Sequence, residues 1–248
     1  MGHRFETSHE TEVAATPEQV WEAIATGPGI TSWFMGRNEV EPGEGGVVRL
    51  AFGDYSPEQP ITAWDPGRRL AYGAEPGPDG RFVAYEFLVE GRERGSAVIR
   101  VVTSGFLPGD DWEDEFEAMS RGGALFFRTL VEYLGRFAGR AATPITVAGP
   151  PAPDLDHAWA ALRKALGLPG VTAIGDRVRL APGGGLPEID GVVYFADDQA
   201  LGVRAGDAMY RFVRGFFGAL VVQHLVFADV DVSAAESAWS AWLTPLSA

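Results

Sequence analysis

Few residues of this chain are of a type and spacing that could do chemistry, and the densest group is acidic. Asp110, Asp111, Glu113, Asp114, Glu115 and Glu117 crowd one short run. Carboxylates so close together can hold a divalent cation. They also stand where a helix is expected to begin. Negative charge there offsets the helix dipole and faces water, which is the role assigned to them. The histidines His3, His9, His157 and His224 are too scattered for metal-ligand spacing. His224, between Gln223 and Leu225 on an expected strand, could point into a cavity and is read as a hydrogen-bonded core or edge histidine. Gly43-Glu44-Gly45-Gly46 and Gly183-Gly184-Gly185 lack the Gly-Lys-Ser/Thr ending and the following helix of a phosphate loop, so they are read as turns. Ser96 and Ser104-Gly105 lack the surroundings of a nucleophile elbow. Cysteine is absent, which removes thiol nucleophiles, disulfides and thiolate zinc sites. No catalytic set, no metal site and no cofactor are expected.

What remains is aromatic. Trp33, Phe34, Phe52, Trp64, Tyr72, Tyr85, Phe87, Trp112, Phe116, Met119, Phe126 and Phe127 are the candidate ligand-binding residues, with Thr103 beside them. Any one of these is core filler on its own. As a group they suit the wall of a pocket for an apolar molecule. Tyr72, Tyr85 and Thr103 are the polar handles that would orient it. A buried hydroxyl must be paired, so unpaired ones there would favour a ligand or bound water.

The element that must position this set is a helix over residues 112–137. Trp112, Phe116, Met119, Phe126, Phe127, Leu130, Tyr133, Leu134 and Phe137 recur three or four apart on one face, leaving Arg121, Arg128, Glu132 and Arg136 for water. Ahead of it lie short alternating segments. Residues 5–15 read as a strand, and Thr16-Pro17-Glu18-Gln19 starts a helix that carries Val20, Trp21, Ile24 and Ala25 inward. Gly27-Pro28-Gly29 ends that helix, and a second short one is expected over 30–35. Strands follow at 47–52, 61–64, 69–73, 81–89 and 97–103, with Val83, Tyr85, Phe87, Ile99, Val101 and Thr103 inward. Strands this short and close suggest an antiparallel sheet, so the fold class is α+β.

Residues 139–153 read as linker plus an opening strand at 145–148, after which the pattern restarts. A helix at 154–166 carrying Trp159 echoes the one carrying Trp21, and Gly175-Asp176-Arg177-Val178-Arg179-Leu180 echoes Gly45-Gly46-Val47-Val48-Arg49-Leu50. The segment 192–213, a strand at 221–230 and a last helix capped by Ser233 complete a shorter copy. The expected domains are 1–140 and 141–248.

Composition narrows the partners. A formal net charge of −14 with one lysine, Lys164, disfavours nucleic acid and anionic lipid surfaces. No apolar run approaches a membrane span, and residues 1–12 lack a signal core, so a cytoplasmic protein is expected. The expected partner is a small apolar or aromatic molecule.

One ordered succession of motifs carries a resemblance. It comprises Ala15-Thr16-Pro17-Glu18-Gln19-Val20-Trp21, Trp33-Phe34, Pro42-Gly43 with Gly45-Gly46, Asp65-Pro66-Gly67-Arg68-Arg69-Leu70, Thr103-Ser104-Gly105-Phe106, and Leu130 with Tyr133-Leu134. The first 140 or so residues thereby resemble the START-like (Bet v 1-like) helix-grip superfamily, SRPBCC, in the branch named after the activator of Hsp90 ATPase. The resemblance implies a seven-stranded antiparallel sheet wrapped round the long helix with a cavity between them, and no shared catalytic set. Two departures matter: Gly122-Gly123 stands where relatives often carry Trp, and Thr103 where they often carry His. The leading expectation is ligand binding. A cyclase, aromatase or hydratase-type activity with Tyr72, Tyr85 or Arg37 assisting proton movement is one alternative, and a chaperone-cofactor-like interaction module is another.

Overall fold

The computed structural model describes residues 2–53, 55–110, 112–168, 170–215 and 218–247. The chain divides into two compact units, Met1–Ala141 and Ala142–Ala248. The first opens with β1 (His3–Val13), followed by α1 (Pro17–Ala25) and α2 (Gly27–Thr31). Strands β2 (Arg37–Val40), β3 (Val47–Ala51), β4 (Glu58–Asp65), β5 (Arg69–Gly73), β6 (Phe82–Gly91) and β7 (Ala97–Leu107) come next. The unit closes with α3 (Trp112–Arg136). Its seven strands run antiparallel in the order β1-β7-β6-β5-β4-β3-β2. This is an α+β helix-grip fold, with the closing helix laid against a curved sheet.

Local chemistry sets the helix starts. Thr16 and Gln19 form a reciprocal capping box: the Gln19 amide donates to Thr16 Oγ1 at 3.3 Å and the Thr16 amide to Gln19 Oε1 at 2.9 Å. The second helix lies earlier than its expected place. Thr26 caps it by accepting the Gly29 amide at 3.0 Å, because Pro28 has its dihedral preset for a first helical turn. Trp33-Phe34-Met35 therefore falls in the turn after α2. Arg37 begins an edge strand that the pattern had not suggested, and it is exposed there. Strand β7 runs four residues beyond its expected end, so Ser104-Gly105-Phe106 is strand and not turn. Gly105 permits this, since a Cβ there would lie 2.4 Å from the Phe82 carbonyl. Arg128, expected in water, has its Nε buried.

The second unit repeats the order with fewer parts. It contains β8 (Thr143–Pro151), α4 (Leu155–Ala165), β9 (Arg177–Leu180), β10 (Ile189–Ala196), β11 (Ala200–Arg204), β12 (Ala208–Arg214), β13 (Ala219–Val226) and α5 (Val232–Leu243). Its sheet order is β8-β13-β12-β11-β10-β9: again the first strand pairs with the last. The cap of α5 is Asp231, whose carboxylate accepts the Ala234 amide at 3.0 Å. Ser233, expected in that role, sits inside the first turn. Ile145, Trp159, Leu162, Leu201, Phe212, Val222, Trp239 and Leu243 belong to one buried core.

A candidate ligand-binding hollow in the first unit

Antiparallel pairing sets opposed residues on the same face of a sheet. Tyr72 of β5 opposes Tyr85 of β6, Tyr85 opposes Thr103 of β7, and Thr103 opposes Thr7 of β1. The neighbouring row is Leu70, Phe87, Val101 and His9. Helix α3 covers this face along β1, with Phe116 against Phe5 (ring centroids 5.5 Å apart) and Phe127 against His9 (5.2 Å).

Burial along α3 is uneven. Leu125, Phe127, Thr129, Leu130, Tyr133 and Leu134 are buried, while no described residue from Trp112 to Ala124 is. The sheet follows suit. Val13, Leu70, Phe87, Val89 and Ile99 are buried, whereas Thr7, Val83, Tyr85 and Thr103 are half-buried. The C-terminal half of the helix seals the core, and its N-terminal half is only partly covered. Space is open beside Gly122 and Gly123: a Cβ at Gly122 meets nothing within 4 Å, and one at Gly123 meets only His9 Nε2, at 3.9 Å.

Rings from three elements meet over the tyrosine row. Tyr72 lies 5.5 Å from Tyr85 and 5.9 Å from Phe87, and Trp33 lies 6.2 Å from Phe87. Phe34 is 6.5 Å from Tyr85 and 4.7 Å from Phe126, which joins the α2–β2 turn to α3. Trp33 is held in place by its indole N–H, which donates to the Ala23 carbonyl at 2.9 Å. The other expected lining residues stand apart from this group. Trp112 stacks on His3 and lies tilted to Phe116, Trp64 packs edge-on to Trp21 at 5.1 Å, and Phe52 bridges to Tyr55 beyond β3. Met119 is half-buried in the N-terminal half of α3.

The polar groups are under-used. Burial, and secondarily Tyr85, holds the Tyr72 phenol well above the ordinary range. Tyr85 is pushed up to about 12 by burial and then by Tyr55. Both are protonated at neutral pH. Among the described residues neither hydroxyl has a hydrogen-bond partner, and the Thr103 hydroxyl has none either. None of the three is among the fully buried unpartnered oxygens, so each keeps contact with solvent. These phenols can donate to a carbonyl or hydroxyl, and they are too weakly acidic to give up a proton outright.

Three polar residues on this face were not among the expected lining residues. Thr7 and His9 sit on the inward positions of β1, where the period-two spacing from Phe5 to Val13 would have found them. Ser120 shares a helix face with Phe116, Gly123 and Phe127 by spacing, and its Oγ is buried without a partner.

The remaining motifs stay plain. In the acidic run Glu115 pairs with Arg81 and Glu117 with Arg121 at 2.6 Å; Asp110, Glu113 and Asp114 are exposed at the start of α3, and Asp111 lies outside the described residues. Among the described residues no group of three or more His, Asp or Glu is placed to hold a metal ion. His224 is buried, its Nδ1 accepting the Arg211 amide at 3.2 Å, with Tyr210, Phe212 and Trp239 packed around the ring.

A curved sheet gripping a long helix defines a START-like protein. The chain belongs to the polyketide cyclase / dehydrase and lipid transport family, whose sequence model matches residues 4–141. This agrees with the START-like resemblance carried by its motifs. A search of curated proteins finds no match. Among solved structures, the di-domain ARO/CYC protein BexL from the BE-7585A biosynthetic pathway aligns over 98% of each chain at 13% identity and a TM-score of 0.47. Protein MLL2253 from Mesorhizobium loti aligns with 52% of this chain and 96% of its own at 21% identity and 0.45. The Aha1 dimer from Colwellia psychrerythraea aligns with 52% and 96% at 20% identity and 0.41. Among the described residues no helix is long and apolar enough to cross a membrane.

Proposed function

We propose that the first unit binds a small apolar or aromatic molecule in the hollow between the N-terminal half of α3 and the sheet. One observation carries this reading. The N-terminal half of α3 has no buried residue among those described, and on the sheet face that the helix grips Tyr72 and Tyr85 oppose each other with no hydrogen-bond partner for either hydroxyl among the described residues. Trp33, Phe34, Phe87 and Phe126 would grip the ligand's faces, and Tyr72, Tyr85 and Thr103 would meet its polar edge. The second unit, a shortened copy over about 141–248, serves as scaffold, since Trp239, His224 and Phe212 fill the place under its closing helix. The protein works in the cytoplasm as a binder and not as a catalyst. Thermal-shift screening of the full chain with planar aromatic and polyketide-like compounds tests this. A ligand at a hundred times its Kd stabilises the protein by about 2.7 kcal/mol, and a screen in which no compound raises the melting temperature removes the reading.

Family membership favours a second reading, a cyclase-type activity on a poly-β-ketone. Tyr72 and Tyr85 would polarise a carbonyl by hydrogen bonding while the hollow folds the chain for ring closure. Ring formation from a linear poly-β-ketone, followed by the aromatic absorbance that develops, separates the two readings. Binding without turnover leaves only the first.

A further inference from the structure

We infer that His9, facing the Gly122-Gly123 step of α3, is the residue through which the hollow hydrogen-bonds an oxygen-bearing aromatic ligand such as a phenol or quinone. This rests on the ligand-site reading and adds the residue and ligand chemistry that set its selectivity. Helix and strand touch at three aromatic contacts, Trp112 on His3, Phe116 on Phe5 and Phe127 on His9. Between the last two the helix face carries Ser120 and Gly123, and β1 carries Thr7. Ser120 Oγ is buried with no partner, and among the described residues neither the Thr7 hydroxyl nor either nitrogen of the His9 ring has a hydrogen bond. Phe127 stacks on the imidazole at an interplanar angle of 23°, so the ring face is occupied and the nitrogen-bearing edge is what remains for a ligand.

Space is kept open beside that edge. His9 Nε2 is all that a Cβ at Gly123 would meet within 4 Å, so a larger residue there would occupy the volume next to the imidazole. Burial lowers the His9 pKa, so at neutral pH the ring carries one N–H donor and one lone pair. Such a ring can donate to a carbonyl or bond either way with a hydroxyl. A pure hydrocarbon in the same place would strip water from His9 and Thr7 and return nothing, which costs affinity. The strand supplies the selective group and the helix supplies the room.

Isothermal titration of the full chain with 2-naphthol and 2-methylnaphthalene tests this, because the two probes share a shape and differ in the hydrogen-bonding group. The wild type is expected to bind 2-naphthol about fivefold more tightly, the worth of one net hydrogen bond. His9→Phe keeps the stack on Phe127 and removes both nitrogens, so it should erase the preference while 2-methylnaphthalene still binds. His9→Gln should restore part of it, and Gly123→Leu should weaken both probes. His9→Leu stands in if the Phe variant does not fold. Equal binding of both probes by the wild type, or a preference that survives in His9→Phe, overturns the role of His9 and leaves the hollow standing. Failure of the wild type to bind either probe overturns the hollow, and His9 with it.

Discussion

Removing the Tyr72 hydroxyl should cost affinity while leaving stability nearly unchanged. Without a ligand this hydroxyl has no protein partner among the described residues, yet it is not one of the fully buried unpartnered polar atoms, so Tyr72→Phe should shift stability by no more than about 0.5 kcal/mol. With an oxygenated ligand bound, the same change removes a donor and should weaken binding by about 1 kcal/mol. Thermal melts with and without ligand read both, and a variant less stable in the free state would mean that the hydroxyl is already satisfied. His224 carries a different kind of information. Its Nδ1 accepts an amide, so its proton sits on Nε2, which is buried with no partner. Burial, then Arg211, pushes its pKa down to about 3. The unfolded chain takes up a proton below about pH 6.5 that the native ring refuses, so stability falls as the pH drops through that value. Between pH 6.5 and 5 the loss should reach about 2 kcal/mol, and His224→Asn, which keeps an acceptor and does not titrate, should remove that slope. Urea melts at the two pH values decide it. The tyrosines were legible as inward residues from alternation alone. Whether a hydroxyl there is satisfied depends on partners from other strands, which alternation does not contain. His9 was weighed only as a metal ligand, because Thr7, His9 and Thr11 make the inward positions of β1 as polar as the outward ones and its inward period stood out weakly.

Helix α3 was the most legible element, since its apolar stripe spans the whole span from Trp112 to Arg136. The stripe does not reveal that only the later turns are buried against the sheet. Periodicity reports which face points inward, while distance to the partner depends on the sheet's curvature. Gly122-Gly123 was the one sequence sign of that distance. Two glycines inside a helix cost about 1 kcal/mol each relative to alanine. Gly122→Ala meets open space and should stabilise the free protein by about that amount. Gly105→Ala should do the reverse, because its Cβ would lie 2.4 Å from a carbonyl oxygen of β6, and a loss of several kcal/mol or failure to fold is expected. Chemical denaturation of both variants gives the contrast; equal effects at the two sites would show that the step in α3 is closed. The capping box at Thr16 was legible to the residue, because all its parts lie within four positions. The shifted α2 and the added β2 were not. A five-residue helix and a four-residue edge strand owe their form to neighbours distant in sequence.

At the scale of the whole chain, the echo between the halves was visible as a repeated order of motifs, and both sheets share one plan in which the first strand pairs with the last. Shortening has a consequence for what each unit can hold. The closing helix has 25 residues in the first unit and 12 in the second. A helix of 25 residues has turns enough to seal a core at one end and span a gap at the other. One of 12 has only three turns, and Trp239, Trp242 and Leu243 spend them packing Phe212 and the core beneath. Ligand protection should therefore be confined to one half of the chain. In hydrogen exchange on the full-length protein with a compound found by thermal shift, amides of β5, β6, β7 and the first half of α3 should slow by at least tenfold. Those of β12, β13 and α5 should keep their free-state rates. A global tightening would spread over both units, since any ligand that binds only native protein raises its overall stability. The local pattern is separated from it by reading amides that open without global unfolding, at sub-saturating denaturant. Protection that begins under α5 would transfer the binding role to the second unit and leave the hollow of the first unexplained.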